Sequence, residues 1–172
     1  MSNFRRARVA GGVYFFTVVT HRRMRLFDDT VRVNVLRSAF RRVMCERPFE
    51  VDAMVVLPDH LHCIWRLPDG DDDYSGRWRW IKTTVTRRIR EIDPRFESRA
   101  LWQPRFWEHA IQDAADWRRH VDYVHYNPVK HGLVAHARDW PWSSFRRCVQ
   151  RGWYDSSWGS SEPPTIARMC LE

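Results

Sequence analysis

His60 and His62 are two residues apart and offer the first chemistry in this chain. On a strand, residues i and i+2 share a face. Their imidazoles would stand about 7 Å apart along it and could converge on one metal ion. Leu61, Cys63, Trp65 and Leu67 then fall on the opposite face and read as core. Farther along, DWRRHVDYVHYNP sets Tyr123 and Asn127 four residues apart, on one flank of a helix with His120 close by. An Asn carboxamide oxygen can serve as a third, hard metal ligand. A Tyr one turn away can be a nucleophile, although a phenol with a pKa of about 10 needs activation. A quieter reading fits the same residues: two polar histidines on an exposed strand, and a Tyr and an Asn at a helix end before proline. Spacing alone leaves both open.

These residues must be positioned by their elements. YFFTVVT, residues 14–20, is rich in aromatic and β-branched residues and predicts a first strand. Asp28-Asp29-Thr30 offers caps for a helix with Val35, Leu36, Ala39, Phe40, Val43 and Met44 at helical spacing, ending before Pro48. Residues 49–57 form a second strand with Val51, Ala53, Val55 and Leu57 on one face, and Pro58-Asp59 turns the chain into a third over 60–67. The acidic loop DGDDDYS is expected to be mobile. A basic helix follows over 77–92 with the apolar stripe Trp78, Ile81, Val85 and Ile89, then a fourth strand over 105–111 and a helix over 113–127 closed by Pro128. Within that last helix Trp117, Val121 and Val124 make the buried stripe. The order matches an α+β, ferredoxin-like βαββαβ sandwich with an antiparallel sheet, plus a C-terminal helix carrying Tyr123. Such a sheet packs one face under two helices and is expected to leave the other free for a ligand. Residues 1–150 read as the catalytic domain and 151–172 as a loosely packed tail rich in Ser, Gly and Pro.

Composition limits the partners. The chain has 172 residues with 29 Lys+Arg against 21 Asp+Glu, a net charge of +8, and suits one domain. A pI near 9.9 favours an anionic partner, nucleic acid being the commonest. Ten Trp beside many Arg suit a grip on single strands by stacking and charge, though for each Trp taken singly core packing is the better reading. A mean hydropathy of −0.59 and the lack of a long apolar run argue against a membrane protein. Met1-Ser-Asn-Phe-Arg-Arg leads into no apolar signal core. Cys45, Cys63, Cys148 and Cys170 form no C-x-x-C pair and read as reduced cytosolic thiols.

The stretches VVLPDHLHCIW and YVHYN resemble the His-hydrophobe-His and tyrosine motifs of the HUH-type, single-tyrosine (Y1) transposases related to IS200/IS605. LWQPRFWEHAI, DWRRHVDYVHYNPVKHGLV and DWPWSSFRR resemble, more narrowly, the REP-associated tyrosine transposases of bacteria. The likeness runs from about Val13 to Arg147; Asp59 stands where that family commonly has Asn, and Leu57 where Met is common. The resemblance implies a divalent ion, Mg²⁺ or Mn²⁺, held by His60, His62 and Asn127. It implies Tyr123 as the nucleophile that forms a 5′-phosphotyrosine on single-stranded DNA that folds into hairpins, the REP palindromes. His120, His125 and His131 receive no assigned role. Expected DNA contacts are Arg77, Arg79, Lys82, Arg87, Arg88 and Arg90 on the basic helix, with Trp80, Trp102 and Trp107 as stacking candidates. The role of Trp140, Trp142, Ser143 and Ser144 stays open between structure and DNA contact. The protein is expected in the bacterial cytoplasm, at the nucleoid, as a monomer or homodimer. Two other functions compete: a non-catalytic hairpin-binding protein on the same scaffold, and a metal-dependent phosphodiesterase that activates water and is indifferent to Tyr123→Phe.

Overall fold

The computed structural model describes residues 8–167, 169 and 171; the N-terminal residues read above for a leader and Cys170 lie outside them. Four strands, β1 (Val13–Val19), β2 (Glu50–Val56), β3 (His60–Arg66) and β4 (Trp107–Ala110), form one sheet in the order β2-β3-β1-β4, with every neighbouring pair antiparallel. With α1 (Thr30–Glu46) after β1 and α2 (Tyr74–Ile92) after β3, this is the ferredoxin-like βαββαβ arrangement. α3 (Ala114–Lys130) and α4 (Phe145–Gln150) follow.

Helix starts follow side-chain chemistry. The carboxylates of Asp29, Asp73 and Asp113 accept hydrogen bonds from the main-chain N–H of Arg32, Gly76 and Asp116, satisfying donors that a helix N-terminus leaves open. Strand alternation then divides the apolar residues between two layers. Tyr14, Phe16, Val18, Leu61, Cys63 and Trp65 point to the α1/α2 side, where Val33, Leu36, Phe40, Trp78, Ile81, Val85 and Ile89 complete a core. Trp65 and Trp78, both fully buried, stack there at 4.4 Å, so part of the tryptophan richness is core packing.

The opposite face is not left free. Phe15, Ala53, Val55, Leu57 and Ile64 pack beneath Val121, Tyr123 and Val124 of α3, with Phe145, Cys148, Tyr154 and Ile166 from the C-terminal part. The segment after Gln150 is therefore packed: Tyr154 Oη and Thr165 Oγ1 both donate to Asp122 of α3, at 2.7 Å each. A register shift between Val51 and Ala53 also breaks the expected single stripe on β2, sending Val51 to the α1/α2 core while Ala53 and Val55 face α3. Trp140 to Ser144 cover the outer edge of β2: Ser144 N–H donates to Met54 O, Val56 N–H to Trp142 O, and Trp140 Nε1 to Val56 O. That motif has a structural role, since it pairs an otherwise open edge strand.

Three further expectations change. The acidic loop is anchored, with Asp73 capping α2 and Asp71 gripping Arg77, so α2 begins at Tyr74 rather than Arg77. α3 runs through Pro128 to Lys130. Proline there removes only one hydrogen bond of the final turn, and His131 and Leu133 N–H close the end on Asn127 and Pro128 carbonyls. No helix among the described residues is long and apolar enough to cross a membrane.

Candidate active site

β3 presents His60 and His62 toward α3, both buried, with ring centroids 4.9 Å apart. Neighbours set the tautomer of each ring. His60 Nδ1 lies 2.6 Å from Asp59 Oδ1, an acceptor only, so Nδ1 carries the proton and Nε2 the lone pair. Burial works against the Asp59 charge, but the hydrogen bond from His60 and the Arg23 guanidinium at 3.1 Å hold its pKa at about 2. The departure from Asn thus puts a full carboxylate behind the ligand-type histidine, which fixes its ring. His62 Nδ1 lies 2.9 Å from Thr17 Oγ1, whose own hydroxyl proton is directed to Leu171 O at 3.4 Å. That arrangement likewise leaves His62 Nε2 as the donor atom for a ligand.

α3 sets the other two residues over this pair. Tyr123 is buried with its ring edge-on to His62 at 5.3 Å and to Phe15 at 6.0 Å. Asn127, one turn later on the same flank, is fully buried, and neither its Oδ1 nor its Nδ2 has a hydrogen-bond partner. A buried, unsatisfied carboxamide is costly, on the order of 1–3 kcal/mol. A hard cation bound at Oδ1 would satisfy the oxygen, and two imidazoles with one amide oxygen are a donor set that fits a divalent ion such as Mn²⁺. Lys130, two turns beyond Tyr123, donates to Tyr123 Oη at 3.2 Å, with its ammonium 4.8 Å from the ring centroid. Ending the helix at Pro128 hid this lysine from the sequence reading, since its i+7 spacing carries meaning only on a helix that continues. Thr17 was equally hidden, because only strand pairing places it opposite His62.

A second group with metal-ligand chemistry lies alongside. His109, Asp116 and His120 bring one candidate ligand atom each within 4.8 Å of one another. Asp116 Oδ2 accepts from His109 Nε2 at 2.8 Å and from Gln112 N–H at 2.9 Å, while His120 Nδ1 donates to Asp116 O at 2.9 Å. Burial opposes the Asp116 charge, but these hydrogen bonds and the two histidines hold its pKa at about 2. Burial also lowers the His120 pKa, against the opposing effect of Asp116. The two rings stack at 4.7 Å and 16°, so their in-plane lone pairs run side by side rather than converging. That geometry suits a hydrogen-bonded brace better than an ion.

The expected DNA-contacting residues separate. Arg77 does not face solvent: its guanidinium is buried against both Asp71 oxygens (2.6 and 3.0 Å) and the carbonyls of Arg47, Pro48 and Asp73. It joins α2 to the preceding loop and to the end of α1, so the phosphate-contact expectation is corrected there. Lys82 and Arg90 are directed to main-chain carbonyls, Gln103 for the first and Phe96 and Arg99 for the second. Arg79, Arg87 and Arg88 are exposed. Lys82, Arg87, Arg90 and Trp102 line an open cleft of about 740 Å³, on the far side of the sheet from the histidines. Trp80 and Trp102 pack against the core, and Trp102 Nε1 donates to Thr86. Trp107 stays exposed on β4, on the histidine side.

This arrangement can be set beside known proteins. Residues 9–126, which include both strand histidines and Tyr123, match the family model described as "Transposase IS200 like". An Escherichia coli REP-associated tyrosine transposase is 50% identical over 159 residues, covering 92% of this chain and 91% of its own. A Haemophilus influenzae chain is 42% identical over 168 residues, covering 94% and 95%. A solved structure of a REP-associated tyrosine transposase bound to a REP hairpin superposes with a TM-score of 0.83 at 46% identity, covering 99% of both chains. A Deinococcus radiodurans structure at 19% identity and a TM-score of 0.51 shares the fold alone. With the histidine pair, the tyrosine and this scaffold in place, the chain belongs to the IS200-like transposases, DNA-cleaving enzymes, and within them to the REP-associated tyrosine transposases.

Proposed function

We propose that this transposase cleaves and rejoins single-stranded DNA beside REP-type hairpins through a covalent tyrosyl intermediate. Tyr123 Oη attacks the scissile phosphorus; the Oη–P bond forms, the P–O3′ bond breaks, and the phenolic proton departs while the 3′ oxygen gains one. The products are a 5′-phosphotyrosine and a free 3′-hydroxyl. Reversal by another 3′-hydroxyl reseals the strand without an external energy source, because the phosphoester is conserved. A divalent ion, Mg²⁺ or Mn²⁺, held by His60, His62 and Asn127 would polarise the phosphate and offset its growing charge. Asp59 and Thr17 hold the two rings with Nε2 presented. Lys130 stabilises the phenolate as the proton leaves.

The observation that carries this reading is Tyr123 packed against His62, with the unsatisfied Asn127 carboxamide one turn away. The solved relative with a REP hairpin supports hairpin DNA as the partner. Arg79, Arg87 and Arg88 are proposed as phosphate contacts and Trp107 as a base contact. The working place is the bacterial cytoplasm, as a monomer or homodimer.

Incubation with a labelled REP-type hairpin bearing a single-stranded flank and Mn²⁺ tests the proposal on a denaturing gel. The expected result is a slow covalent band, absent with chelator and in Tyr123→Phe. Cleavage that persists in Tyr123→Phe would mean water is the nucleophile. Tight binding without cleavage would mean a scaffold that only binds.

A further inference from the structure

Trp107 is 37% exposed and is the one aromatic among the exposed large apolar side chains of the described residues. A lone exposed apolar residue needs no explanation, but its position does. On β1, Thr17 pairs with Trp107 of β4 on one side and with His62 of β3 on the other. His62, Thr17 and Trp107 thus form one row across the sheet, with Trp107 about 10 Å from His62 by strand spacing. The indole is also braced. It lies parallel to His109 at 6.1 Å and 6°, and His109 is stacked on His120 at 4.7 Å and 16°. Phe15 touches Trp107 edge-on at 5.7 Å and stacks on His62 at 5.5 Å. Asp116 holds both histidines of the stack by hydrogen bonds. The result is a three-ring stack running from the buried layer beneath α3 to an open aromatic end beside the histidine pair.

We infer that Trp107 is the stacking platform for one unpaired base of the single-stranded segment, next to the phosphate that Tyr123 attacks. This rests on the function proposed above and names the substrate feature read there: an unstacked base, not the duplex stem. A π-face accepts any base, so the platform supplies position more than sequence preference. Arg119, half-exposed, pairs at 3.3 Å with Asp116, the carboxylate that holds His109 of the stack.

Binding is measured with full-length Tyr123→Phe protein, so that no cleavage intervenes, on a REP hairpin with its single-stranded flank and on the same hairpin without it. Trp107→Ala is expected to weaken the flanked hairpin by about 5- to 100-fold and to leave the bare hairpin unchanged. An abasic site scanned through the flank should, at one position, weaken the parent protein by a similar factor and Trp107→Ala no further. Trp107→Phe should keep most of the affinity; it and the abasic scan decide the matter should Trp107→Ala fold poorly. Equal losses on both hairpins, or an abasic penalty that adds fully to the substitution at every position, would overturn the platform. Failure of Tyr123 to form an adduct would overturn the chemistry instead, and the binding cycle would read the platform independently.

Discussion

The proposed nucleophile is closed in by its surroundings rather than displayed. Tyr123 contacts a lysine, a histidine and a phenylalanine, and each contact has its own consequence. Lys130→Met should slow adduct formation on the order of tenfold or more, since it removes one donor from a developing anion. Lys130→Arg should retain more of the rate, and single-turnover gels compare the two. Arg77 makes the contrasting case. Arg77→Ala is expected to destabilise the fold by about 3 kcal/mol, because it leaves Asp71 and three main-chain carbonyls without their partner. Urea unfolding measures that loss, and the salt dependence of hairpin binding should not change. Arg87→Ala and Arg88→Ala should do the reverse, each lowering the salt slope by about one with little effect on stability.

At the scale of elements, α3 has two partners. It lays Tyr123 and Asn127 over the sheet, and Asp122 on another flank holds the C-terminal segment through Tyr154 and Thr165, while Arg118 of the same helix, paired with Asp122 at 3.0 Å, donates to Trp153 O. Burial and the neighbouring Asp122 charge raise the Tyr154 pKa, so its hydroxyl stays a donor. Tyr154→Phe should cost about 1.5–3 kcal/mol, as expected of a hydrogen bond to a charged group. It should also make the segment after Gln150 more sensitive to limited proteolysis, with cleavage sites read by mass spectrometry. Unchanged proteolysis would show that apolar packing by Ile166 and Trp158 suffices.

For the whole molecule, acid stability depends on His125. This ring is fully buried on α3, near the Tyr154 hydroxyl at 3.2 Å and the Ser144 hydroxyl at 2.8 Å. Burial, reinforced by the charges of Arg147 and Arg118, lowers its pKa to about 3. The unfolded chain, with an ordinary pKa near 6.5, therefore binds a proton that the folded protein does not. Stability should fall as pH drops from about 6.5 toward 3, on the order of 1.4 kcal/mol per pH unit within that window. Chemical unfolding at pH 7.5, 6 and 5 measures the slope, and His125→Gln should flatten it. Asp59 and Asp116, both near 2, add their own loss only below about pH 4.

The order of strands and helices was legible because alternation and helical spacing act over a few residues, as in YFFTVVT and the stripe Trp78, Ile81, Val85 and Ile89. The histidine pair and the four-residue spacing of Tyr123 and Asn127 were legible for the same reason: both are periodicities of a single element. What joins different elements was not. That Thr17 sets the tautomer of His62, that α3 covers the second sheet face, and that Arg77 is buried all depend on strand register and layer packing. An arginine at a given helical position reads the same whether it meets water or a buried carboxylate. Lys130 came into view only because α3 continues past Pro128, where tertiary contacts outweigh the local preference of proline to end a helix. The sequence by itself determined which chemical groups are present and the order of their elements; the tertiary structure decided which groups meet, because contacts between distant segments arise only when the layers close.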